Sequence, residues 1–99
     1  VAKNGMNPIS PGEILRRDVL EELEISANAL ARALDVPANR ITAILNGTRA
    51  VTADTALRLG RYLGTTPQFW LNLQSSYELR KAELAVGSSI SRTVKPRAA

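Results

Sequence analysis

The stretch that most constrains this 99-residue chain is residues 26–47, SANALARALDVPANRITAILNG. Ala27, Leu30, Ala31 and Leu34 fall at i, i+3, i+4 and i+7, the apolar stripe of a helix with one buried face. Ser26 precedes the stripe, where its hydroxyl can accept an otherwise unpaired backbone N–H. Pro37 is expected to open a second helix from its first position, which needs no N–H and suits the φ of proline. Ile41, Ile44 and Leu45 give that helix its apolar side, and Gly47 can take the left-handed conformation that ends it. Asp35 stands in the corner between the two, where glycine is commoner. Aspartate tolerates positive φ there better than most residues, at some cost.

Once the apolar positions are buried, the second helix leaves Asn39, Arg40, Thr42 and Ala43 on its other face, followed by Asn46, Thr48 and Arg49. No Asp or Glu occurs between Asp35 and Asp54. A merely solvated helix face tends to mix Glu with Lys in i, i+4 pairs. Short polar side chains and a guanidinium without acids are instead suited to base edges and phosphates. Two helices with so tight a corner form a helix-turn-helix arrangement, and its free face reads as a DNA-facing surface. A helical hairpin in an ordinary small bundle is the plainer alternative on pattern alone.

The flanks supply three further helices and no strand pattern. Ser10-Pro11-Gly12-Glu13 is a capping box with proline at the first helical position, and Ile14, Leu15, Val19, Leu20 and Leu23 supply the apolar side of that helix. Thr52 is placed to cap a fourth helix with Ala56, Leu59 and Leu63 inward and Gly64 at its end. Gly60 should weaken that helix by about 1 kcal/mol unless a neighbour packs closely on it. Thr66-Pro67 starts a fifth helix expected to run to about Ala85. On it Phe69, Trp70, Leu73 and Tyr77 lie on or near one stripe, read as core packing with part of the surface serving as a dimer seam. The expected organisation is all-α. Residues 1–6 are a flexible segment or remnant outside the fold, 7–86 a five-helix domain with a C-terminal dimerisation helix, and 87–99 a basic tail.

Net charge is +4, and its distribution says more than its total. Glu13, Asp18, Glu21, Glu22 and Glu24 face only Arg16 and Arg17 in the first helix, whereas Arg32, Arg40, Arg49, Arg58 and Arg61 face only Asp35 and Asp54 between residues 25 and 70. Two faces for two partners fit this split. The chain has no cysteine and no histidine, which removes disulfides, thiolate chemistry, the usual zinc sites and an imidazole base. The carboxylates gather on one helix rather than in a pocket, so no enzyme, metal or cofactor is expected. No apolar run is long enough for a membrane span or a signal-peptide core, and a cytoplasmic location is expected.

The segment from Ser26 to Gly47 resembles the helix-turn-helix of the Xre-type, phage-repressor-like DNA-binding proteins. The flanks NPISPGEILRRDVLEEL and RAVTADTALRLGRYLGTTPQFWLNLQSSYELRKAE resemble the HigA antitoxins over about residues 7–85, most distinctively in TPQFWLNLQSSYELR. This resemblance implies a five-helix, lambda-repressor-like fold, a homodimer on double-stranded operator DNA, a RelE-like mRNA-cleaving toxin as partner, and autorepression of the shared operon. By position it makes 37–46 the recognition helix, with Ala38, Asn39 and Ala43 facing bases and Arg40 and Thr42 beside them. Ser26, Asn28, Arg32, Thr48 and Arg49 match positions that hold phosphates, and Asn46 joins them at the end of the helix. Alanines stand where Gln or Ser is frequent, shifting selectivity toward Asn39, Arg40 and apolar contact with thymine methyls. The acids Glu13, Asp18, Glu21, Glu22 and Glu24 are suited to cover the basic surface of a toxin acting on RNA. A solitary Xre-type regulator without a toxin is the alternative; a toxin binder that has lost DNA binding is disfavoured by Arg40 and Arg49.

Overall fold

The computed structural model describes residues 8–98, and the expectation for residues 1–6 lies outside them. Five helical segments occur in order, with no strand among the described residues. Helix α1 (Pro11–Ile14) continues directly into a π-helical stretch, Leu15–Glu21. Then come α2 (Ala27–Leu34), α3 (Ala38–Leu45), α4 (Ala53–Leu63) and α5 (Pro67–Thr93).

Local chemistry accounts for most of the boundaries. The Ser10 hydroxyl accepts from Glu13 N at 3.2 Å and the Glu13 carboxylate accepts from Ser10 N at 3.4 Å, the reciprocal capping box. Ser26 and Thr66 accept in the same way from Ala29 N (3.0 Å) and Phe69 N (3.1 Å). Asp35 adopts φ +59° and ψ +49°, and Val36 N donates to Ala31 O at 3.0 Å, closing α2 as glycine would. Gly47 (φ +80°) and Gly64 (φ +76°) close α3 and α4. Pro37 stands one place earlier than expected: its ψ of 148° makes it the N-cap, and α3 begins at Ala38. Thr52 is the N-cap of α4 by position, with no hydrogen bond from its side chain.

Two expectations fail in informative ways. The fifth helix does not stop before Gly87 but continues through Gly87-Ser88-Ser89 to Thr93, so the proposed boundary at 86/87 falls inside α5. Extending an existing helix gains a hydrogen bond for every residue fixed, without a new nucleation cost, and this outweighs the poor propensities of Gly and Ser. Trp70 is not available to a seam. Only 1% exposed, it is core, and its indole N–H donates to Thr65 Oγ1 at 3.0 Å.

The core joins Leu15 and Val19 with Leu30, Ala31 and Leu34 of α2, Ile41 and Ile44 of α3, Val51, Ala56 and Leu59, and Trp70 of α5. Leu23, expected inward, is exposed. Gly12 is buried where α1 meets the carbonyl end of α3, and a Cβ there would collide with Ile44 O. The Arg16 guanidinium donates to Leu45 O at 3.4 Å across the same contact. The carbonyl end of α3 is thereby held against the first helix.

Candidate nucleic-acid interface

Packing of Ile41 and Ile44 turns the opposite side of α3 outward. Ala38, Asn39 and Thr42 are exposed there, while Ala43 and Arg40 are half-buried at the edges. The Thr42 hydroxyl donates back to the carbonyls of Ala38 and Asn39, both at 3.4 Å, as mid-helix threonines do. Asn39 is therefore the exposed amide of the face, with donors and an acceptor that match an adenine edge.

Around this face stand the residues expected at phosphates. Ser26 and Asn28 occupy the N-terminal turn of α2, and Arg32 is exposed one turn later. The Ser26 hydroxyl already accepts from Ala29 N but keeps a proton to donate. Asn46 is the C-cap of α3, and Thr48 and Arg49 are exposed in the loop beyond it. That loop is pinned. Thr48 N and Oγ1 both donate to Ala43 O (2.9 and 3.2 Å), and Val51 N donates to Gln74 Oε1 of α5 at 2.8 Å. A basic side chain on a loop so anchored is presented at a set height beside the helix.

Arg40 is placed differently from its neighbours. Its guanidinium forms an ion pair with Asp54 in the first turn of α4. Arg58, one turn further along α4, donates to the same carboxylate oxygen at 2.9 Å. It also donates to the carbonyls of Leu34 (2.8 Å) and Asp35 (3.1 Å), the negative end of α2. One carboxylate thus links α3 and α4 to the corner of the helix-turn-helix. The hydrogen bond from Arg58, then that from Arg40, holds the Asp54 carboxyl below its ordinary range. The sequence reading missed Asp54 and Arg58 as site residues. Their i, i+4 spacing announces the pair between them, but nothing local announces Arg40.

The acids expected to meet a toxin, Glu13, Asp18, Glu21, Glu22 and Glu24, are all exposed. Glu13 is already used by the capping box, and Glu24 sits at φ +56° in the turn before α2. Of the expected seam, Phe69 is 43% exposed, Leu73 and Tyr77 are partly buried, and Trp70 is excluded. Farther along α5, Leu79, Val86 and Ile90 are exposed at spacings that keep them on one side.

The family model for helix-turn-helix proteins matches residues 17–70. Virulence-associated protein I of Dichelobacter nodosus is 53% identical over 81 residues, which span 82% of this chain and 75% of that protein. A solved addiction module antidote protein of a HigA family from Coxiella burnetii superposes with a TM-score of 0.88 at 52% identity, over 93% of this chain and all of that one. The Pseudomonas aeruginosa antitoxin HigA, solved with the higBA promoter, superposes with a TM-score of 0.89 at 49% identity, again over 93% of this chain and all of the other. With sequence and fold in agreement, the protein belongs to the helix-turn-helix family and, within it, to the HigA antitoxins.

Proposed function

We propose that the chain binds operator DNA as a homodimer, represses its own operon, and neutralises a RelE-like mRNA-cleaving toxin. The observation that carries the DNA reading is the outward face of α3: acid-free, presenting Asn39 and flanked by Arg32 and Arg49 on capped or pinned backbone. In this reading Ala38, Asn39, Arg40, Thr42 and Ala43 face base edges in the major groove, and Ser26, Asn28, Arg32, Asn46, Thr48 and Arg49 meet phosphates. Support comes from the relative solved with a promoter, which shares the fold at a TM-score of 0.89.

Groove geometry favours a dimer. One short helix reads only a few base pairs, whereas two α3 helices about 34 Å apart would enter successive major grooves of a pseudo-palindrome. Phe69, Leu73 and Tyr77 remain the seam candidates, and the exposed Leu79, Val86 and Ile90 form a separate apolar stripe on another side of α5. For the toxin, the exposed acids Asp18, Glu21, Glu22 and Glu24 offer negative charge to a protein whose RNA substrate requires a basic surface.

The test is selection from a random-sequence duplex library. The purified chain should enrich a motif with two-fold symmetry, and sedimentation of the selected duplex should give two chains per site. No enrichment over input DNA would refute operator recognition, and one chain bound at full affinity would refute the dimer. Co-expression with the adjacent reading frame tests the toxin: the frame should arrest growth alone and not together with this chain.

A further inference from the structure

The α3 face does not act alone. We propose that Asp54 is a positioning residue for sequence readout: by holding Arg40 and Arg58 on one carboxylate, it sets the orientation of α3 and the rotamer of Arg40. This rests on the operator-binding reading above.

Arg40 is the one cation of α3, and its side chain is only 23% exposed against 55% for Asp54. A long cationic side chain on a DNA-facing helix would otherwise sample many rotamers and pair with whichever phosphate is nearest. The node removes that freedom before DNA arrives. It is also anchored on the protein side: Arg58 reaches the same oxygen and the Leu34 and Asp35 carbonyls together, so the carboxylate is tied to the corner that sets how α3 leaves α2. Two guanidiniums sharing one carboxylate leave a net positive charge beside α3, so the node still favours a polyanion while limiting where Arg40 can reach. Indiscriminate binding draws on phosphate charge and selective binding on fixed geometry, so loss of Asp54 should move the two in opposite directions.

The experiment compares wild type, Asp54→Asn and Glu83→Gln. Glu83→Gln removes the same charge from a separate pair with Arg80 on α5 (3.5 Å). The probes are the duplex enriched from the random library by wild type and a scrambled duplex of equal length and composition. Thermal melts show that each variant is folded. With Asp54→Asn, affinity for the scrambled duplex should rise and its salt slope steepen by about one unit, the signature of one more cation available to phosphate. The ratio of selected to scrambled affinity should fall roughly 3- to 10-fold, the order expected when one long side chain must be immobilised on binding rather than beforehand. Glu83→Gln should leave the ratio unchanged, and Asp54→Glu should restore part of it. An Asp54→Asn protein that keeps the wild-type ratio while wild type discriminates would overturn the positioning role alone. Failure of wild type to discriminate would overturn the operator reading and this inference with it.

Discussion

Gly60 and Gly87 both lie inside helices, yet alanine should act on them with opposite sign. In α4, replacing an interior glycine normally gains about 1 kcal/mol of helix propensity. A Cβ on Gly60, however, would lie 2.9 Å from Thr65 O and 3.1 Å from both N and Cδ of Pro67. Carbon prefers roughly 3.5–4.0 Å from its neighbours, so each contact is short by several tenths of an ångström. None of the three atoms is the end of a flexible side chain. They form the turn that starts α5 and carries Thr65, the acceptor of the Trp70 indole N–H. Overpacking of this kind costs about 1–3 kcal/mol, and rigid neighbours place it in the upper part of that range. Gly60→Ala should therefore be destabilising by roughly 1–2 kcal/mol net of the propensity gain. At Gly87 the nearest atom is Glu83 Cβ at 3.8 Å, an ordinary contact, so alanine there should gain about 0.5–1 kcal/mol. The two variants should differ by about 1.5–3 kcal/mol, a gap in Tm on the order of 10 °C for a domain of this size. Circular-dichroism melts at one fixed protein concentration measure it directly. A Gly60→Ala protein as stable as wild type would show that the α4–α5 turn yields freely, and the close-packing argument would fail.

The remaining predictions concern charge. Arg49→Ala should weaken binding to every duplex and make the salt slope shallower by about one unit, whereas Arg40→Ala should cost about 1–3 kcal/mol and blur preference at one position; fluorescence anisotropy on selected and scrambled duplexes separates these outcomes. Reversing Glu21 and Glu22 to lysine should slow association with the proposed toxin, most at low salt, with operator affinity nearly unchanged, and stopped-flow mixing would expose unaltered on-rates. Asp54 titrates below its ordinary value of 3.8 when folded, so its contribution to stability is complete above that value and lost as pH falls through the lower, folded one. Urea midpoints between pH 5 and 2 should consequently fall more for wild type than for Asp54→Asn.

Much of this protein was determined by residues acting within a turn of themselves. Ser10 with Glu13, Ser26 and Thr66 mark helix starts because each hydroxyl needs a backbone N–H only three residues away. Asp35, Gly47 and Gly64 end helices because the left-handed conformation is a property of one residue. The apolar periods placed Leu30, Ala31, Leu34, Ile41 and Ile44 in the core, and by subtraction exposed the α3 face. What tertiary structure decided involves partners distant along the chain or alternatives of equal local merit. By residue type Trp70 favours a core but also suits a seam; the fold buries it, with its indole N–H on Thr65. Nothing among residues 15–21 announces a π-helix, and Gly87-Ser88-Ser89 resembles a stop until an established helix runs through it. Arg40 and Asp54 are fourteen residues apart in sequence. Their pairing exists only because the fold brings the first turn of α4 within reach of the Arg40 side chain, since a Coulomb contact depends on distance in space and not along the chain.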